Sequence, residues 1–169
     1  LQAVQSSAQP PRVADRIGST IVELDDTIRE LRAAIFRLCQ HDERRTLSAQ
    51  ITELIHERAR HLGFEPTLRL VGDIDQLPVF IADQLVATVT EGLSNVVRHA
   101  NATAAEVRIE CVAGTLRLQI SDNGVGLPNE PKRSGGLSNM MWRAAELGGT
   151  CTVSPNDPDG TQLLWHVPI

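Results

Sequence analysis

Between positions 17 and 38 seven apolar residues recur at spacings that alternate between four and three: Ile17, Ile21, Leu24, Ile28, Leu31, Ile35 and Leu38. That period puts all seven on one narrow helical stripe, the seam of a hairpin or dimeric bundle rather than the broader face of a helix packed on its own domain. Such a helix is incomplete without a partner helix. Pro10 and Pro11 stop whatever precedes them and open the new helix, because proline is tolerated in a first turn. Residues 1–9 then read as the tail of an earlier helix.

From about residue 46 the pattern changes. Leu47, Ile51, Leu54, Ile55 and Ala59 suit a second helix, Thr67–Val71 a strand, and Pro78 precedes a long helical stretch from Val79 to about His99. Ala105–Val112 and Thr115–Ser121 alternate apolar and polar residues around Ala113-Gly114 and read as a β-hairpin. A glycine-rich loop follows. Ser138–Leu147 reads as a helix ended by Gly148-Gly149, and Thr150–Ser154 and Gln162–Val167 as closing strands around the polar turn PNDPDG. The expectation is an α+β unit over residues 46–169.

Composition excludes several classes. No apolar run approaches the roughly 20 residues of a membrane helix, so this segment is not expected to insert into a bilayer. A basic segment followed by an apolar one is absent from the N-terminus, which makes the cytoplasm the expected location. Net charge is −5, with 21 acidic against 16 basic residues, which argues against nucleic acid as a partner. Fifteen of the cations are Arg and only Lys132 is Lys, a bias without functional weight. Cys39, Cys111 and Cys151 show no CxxC spacing and read as small buried apolar residues.

Four polar or glycine-rich elements occur in fixed order. Glu91-x-x-x-Asn95 with Arg98-His99 would converge on one face of a helix, a face too polar for core. An amide oxygen suits Mg²⁺, while a guanidinium and an imidazole suit phosphate oxygens. Asp122-Asn123-Gly124-Val125-Gly126 leaves a strand; its glycines allow close backbone approach to a planar ligand, and Asp122 can accept from an exocyclic amine. Gly135-Gly136-Leu137 opens a helix, whose unpaired N–H groups form an anion site. Gly160-Thr161 closes the series. Each element alone is compatible with a solvated helix face or an ordinary turn. Neither a GxxxxGK[ST] loop nor a GxGxxG fingerprint is present.

Taken in order, the set resembles the ATP-binding domain of two-component sensor histidine kinases, within the GHKL class of ATPases and kinases. EGLSNVVRHANAT is similar to the N box, SDNGVGL to the G1 box, SGGLSNM to the G2 box and DGTQLLWHVPI to the closing Gly-Thr segment. The resemblance covers about residues 80–169. The Asn-x-x-Arg-His form is similar to the NarL-partner subgroup and, more narrowly, to the dormancy-response sensor kinases of mycobacteria. The implied fold is a Bergerat-type α/β sandwich, a mixed sheet with helices on one face. Residues 1–40 would be the remnant of a dimerisation and histidine-phosphotransfer hairpin.

The resemblance implies ATP and Mg²⁺ as ligands and a role for each matching residue. Asn95 would coordinate Mg²⁺, Glu91 would be the polarising base, and Arg98 and His99 would face the phosphates. Asp122 would read the adenine amine with support from Thr161, and Gly124, Gly126, Gly135, Gly136 and Leu137 would shape the pocket and its lid. The implied reaction passes the γ-phosphate to a histidine outside this chain, in the hairpin of a homodimeric kinase, for relay to a response regulator. Two departures from the family pattern stand out. Ser134 replaces a frequent glycine, and the stretch between Gly126 and Gly135 is short. The acceptor histidine is expected upstream of residue 1: His41-Asp42 lacks the apolar spacing of an acceptor box, His56 and His61 are expected to face solvent, and His166 lies in a terminal strand. The alternatives are a GHKL serine kinase of anti-sigma type and a nucleotide-gated interaction module without transfer.

Overall fold

The computed structural model describes residues 46–127 and 135–169. The heptad stripe, the 1–40 boundary, Cys39, His41, Lys132 and Ser134 lie outside the described residues. Helix α1 spans Leu47–Leu62. Thr46 caps it, its hydroxyl accepting from the Ala49 N–H at 3.3 Å, and Gly63 ends it in the left-handed conformation, φ 79°. Its first turn has no acidic residue of its own, and Asp75 supplies the carboxylate from a 3₁₀ turn at Ile74–Gln76. That side chain accepts from the Ser48 N–H at 2.7 Å and the Ser48 hydroxyl at 2.9 Å.

Strand β1, Thr67–Val71, precedes α2, Val79–Asn95, whose buried residues Leu85, Val89 and Leu93 recur every four positions. Gly92 lets α2 lie close on the sheet, since a Cβ there would overlap the Ile120 side chain. The helical path continues through a π turn, Val96–Ala100, and stops at Asn101, φ 47°. Strands β2, Ala105–Val112, and β3, Thr115–Asp122, form the expected hairpin. Helix α3 spans Gly135–Glu146, β4 Thr150–Pro155 and β5 Thr161–Pro168.

The sheet order is β1-β2-β3-β5-β4, with β1 parallel to β2 and every other pair antiparallel. Alternation buries one face: Val107 and Ile109 from β2, Leu116, Leu118 and Ile120 from β3, Leu163, Trp165 and Val167 from β5, and Cys151 from β4. The helices pack on this face, α1 against β1, α2 against β3 and α3 against β4 and β5. The other face carries the ion pairs Arg69–Glu106 at 2.8 Å and Arg108–Glu110 at 2.6 Å. This is the α+β unit expected from the patterning, with the mixed sheet and one-sided helices that the resemblance implies. Cys151 is buried as expected, whereas Cys111 is only half-buried, near the turn that closes the hairpin.

Candidate functional site

Strand β3 ends on Asp122, which is only 6% exposed. Its Oδ1 accepts from the backbone N–H groups of Gly124 at 2.9 Å and Thr161 at 3.3 Å. Its Oδ2 has no hydrogen-bond partner among the described residues, yet it is not sealed in. The side-chain polar atom both fully buried and unpartnered among those residues is Trp165 Nε1. A carboxylate fixed through one oxygen and open at the other is a directed acceptor, as recognition of an exocyclic amine requires.

The loop after Asp122 is clamped to the exit of the π turn. A Cβ on Gly124 would collide with the Ala100 carbonyl, and the next residue, Val125, donates its N–H to that carbonyl at 2.8 Å. Asn123, which the sequence reading passes over, is a three-way staple. Its Oδ1 accepts from the N–H groups of Thr103 and Ala104, both at 2.9 Å, and its Nδ2 donates to the Thr103 hydroxyl at 2.9 Å. Gly126 packs against the Gly160 carbonyl, which brings the second and fourth of the ordered elements together. Gly160 has φ 104° and rests on the Asp122 carbonyl, an arrangement closed to any side chain. Asn156 was also passed over; its Nδ2 donates to the Asp122 carbonyl at 3.0 Å. An asparagine inside a glycine-rich or Pro-Asp turn is the local signal for such a clamp.

At the C-terminal end of α2, Glu91 and Asn95 are half-buried, and Arg98 and His99 are exposed. None of the four side chains makes a hydrogen bond or ion pair among the described residues, so all are available to a ligand. One expectation needs correcting. Spacing rules for an α-helix put 91, 95, 98 and 99 on one face, but the winding widens at Val96. A π turn advances each residue through a smaller angle, so the α-helical face defined by Glu91 and Asn95 does not extend unchanged to Arg98 and His99.

The Glu91 carboxylate meets the first turn of α3. A Cβ on Gly136 would overlap Glu91 Oε1, so the absence of a side chain at 136 is what allows this approach. Helix α3 begins at Gly135, three residues before the Ser138 start that the sequence suggests. Gly135, Gly136 and the half-buried Leu137 are therefore part of the first turn, where backbone N–H groups lack intrahelical partners and favour an anion. Gly135 is exposed with open space beside it.

Among the described residues no three His, Cys, Asp or Glu side chains cluster as a metal site. The donor set near α2 nevertheless fits Mg²⁺, which takes one or two protein oxygens and completes its shell with phosphate and water. The free Asn95 amide is such an oxygen. His56 and His61 are exposed as expected, His56 paired to Glu65 at 2.8 Å and His61 Nδ1 3.4 Å from the Glu57 carbonyl. A shallow cavity of about 300 Å³ lined by Glu110, Val112, Thr115, Arg117 and His166 lies on the face of the sheet opposite α1, α2 and α3, away from these motifs.

Comparison with known proteins adds four findings. The family described as "Histidine kinase-, DNA gyrase B-, and HSP90-like ATPase" matches residues 81–169. The sensor histidine kinase LiaS of Bacillus subtilis (strain 168) is 32% identical over 145 residues, 83% of this chain and 39% of that protein. The sensor protein VraS of Staphylococcus epidermidis is 28% identical over 174 residues, 100% of this chain and 49% of that protein. The chain thus spans less than half the length of these relatives. Among solved structures, the histidine kinase domain of the Erythrobacter litoralis EL346 blue-light activated histidine kinase superposes with a TM-score of 0.62 at 21% identity, over 75% of this chain and 63% of that one.

Proposed function

The chain belongs to the family of histidine kinase-, DNA gyrase B- and HSP90-like ATPases, and from that premise we propose that residues 46–169 are the ATP-binding catalytic domain of a sensor histidine kinase. The γ-phosphate of ATP passes to a histidine on a two-helix hairpin and from there to a response regulator. Residues 1–40 supply part of that hairpin, which dimerises the intact kinase. The Asn95-x-x-Arg98-His99 form, with Ala100-Asn101-Ala102-Thr103 after it, supports the NarL-partner subgroup.

The observation that carries the reading is the Asp122 carboxylate, buried, held by two backbone N–H groups through Oδ1 and open at Oδ2. It accepts from the adenine amine, and the Thr161 N–H keeps it aligned. Gly124 and Gly126 let the backbone pass beneath the base. The first turn of α3, Gly135, Gly136 and Leu137, receives phosphate oxygens together with Arg98 and His99. Asn95 holds Mg²⁺, which neutralises phosphate charge when bound. Glu91 polarises the acceptor imidazole, a task that suits a carboxylate with no ion-pair partner among the described residues. Phosphoryl transfer is mostly positioning and charge neutralisation, and these residue types meet that need.

Calorimetric titration with ATP tests the assignment. Asp122→Ala removes a hydrogen bond to a charged acceptor, worth about 1.5–3 kcal/mol, so affinity falls at least tenfold. Unchanged affinity in a folded variant excludes Asp122 as the adenine acceptor. Asn95→Ala should keep nucleotide binding but lose its Mg²⁺ dependence; an equal Mg²⁺ response in both proteins removes Asn95 from the metal.

A further inference from the structure

Asp122 lies one residue beyond the β3–β5 ladder, whose last pair is Ser121–Gln162. Its main-chain carbonyl is therefore left without a β5 partner. The side chain of Asn156, from the turn between β4 and β5, supplies the missing donor at 3.0 Å. Asn156 is itself fixed, since its backbone N–H donates to the Gly160 carbonyl at 3.0 Å. Gly160 packs on the same Asp122 carbonyl, and Thr161 donates to Oδ1. The turn thus grips the backbone and one carboxylate oxygen of Asp122 and makes no hydrogen bond to Oδ2.

We propose that Asn156 is a positioning residue for base recognition: its amide fixes the Asp122 backbone and so the direction of the free Oδ2. The proposal rests on the reading of Asp122 as the adenine acceptor. A residue acting in this way affects only what Oδ2 touches, the exocyclic amine. It leaves contacts to ribose and phosphates alone.

The test is a ligand-by-variant cycle on the full 169-residue chain. Dissociation constants for ATP and for purine riboside triphosphate, which lacks the amine, are measured for wild type, Asn156→Ala, Asn156→Asp and Asp122→Asn. Asn156→Asp keeps the shape of the turn but cannot donate, so it serves if the alanine variant does not fold. Both Asn156 variants should weaken ATP about fivefold and the analogue less than twofold, which erodes the preference for the amine. Asp122→Asn puts a donor where Oδ2 was, or against the loop N–H groups if flipped, and should abolish that preference. Equal weakening of both ligands reduces Asn156 to a fold-supporting role and overturns the proposal. Full retention of ATP affinity in the Asn156 variants, with loss in Asp122→Asn, overturns it while the adenine reading stands. Retained preference in Asp122→Asn overturns the reading and the proposal together.

Discussion

Cys151 pairs with Trp165 across β4 and β5, and burial pushes its thiol from 9.0 up to about 11. The folded protein therefore holds this proton through a pH range in which the unfolded chain has lost it. Stability is intact below pH 9 and falls as pH rises from 9 toward 11. Urea denaturation across that range should show the fall in wild type and a flatter profile in Cys151→Ala; parallel profiles would exclude the thiol. Glu91 makes a different prediction at the same scale. Glu91→Gln keeps the approach to Gly136 but removes the charge. Transfer to a hairpin acceptor should slow about 100-fold while ATP affinity changes less than twofold. A matching loss of affinity would recast Glu91 as a binding residue.

Elements were legible where one strand or helix settles its own pattern. The β2–β3 hairpin followed from alternation, and α1 from the spacing of its apolar residues, because both signals are local. The early start of α3 was not, since the low helix propensity of Gly135 and Gly136 puts the expected start after them, at Ser138. The π turn leaves apolar spacing almost unchanged and so gives no signal. Asn123 and Asn156 act across 20 and 34 residues of chain, distances at which only the closed fold says who meets whom. Of the site, the residue types and their order were visible; the free Oδ2 and the Glu91–Gly136 contact were not. Asn123 allows a test at this scale. Asn123→Ala unties the loop after β3 from residues 103 and 104 and should cost about 2 kcal/mol. The denaturation midpoint should drop, and ATP affinity should fall with it. A change under 0.5 kcal/mol would show that the backbone contact of Val125 with Ala100 holds the loop by itself.

At the scale of the molecule, donor and acceptor functions are expected to be separable. Among the described residues His56 and His61 are exposed on α1, His166 lies on β5 and His99 is exposed in the π turn. The chain should bind Mg·ATP without labelling itself. Mixed with a separate fragment carrying the complete two-helix hairpin of the same kinase, it should phosphorylate that fragment, giving an acid-labile, alkali-stable product. Self-labelling that disappears in His41→Gln would make His41 the acceptor, and serine labelling of a partner protein would indicate the anti-sigma type. The sheet order also bears on how the molecule comes into being. Strand β5 is made after β4 but lies between β4 and β3, and it brings the Thr161 N–H to Asp122. During translation β4 has no neighbour, and Asp122 lacks one of its two fixing donors, until residues 161–168 leave the ribosome. The proposed nucleotide site is thus complete only once β5 has been made, so any capture of ATP waits on residues 161–168.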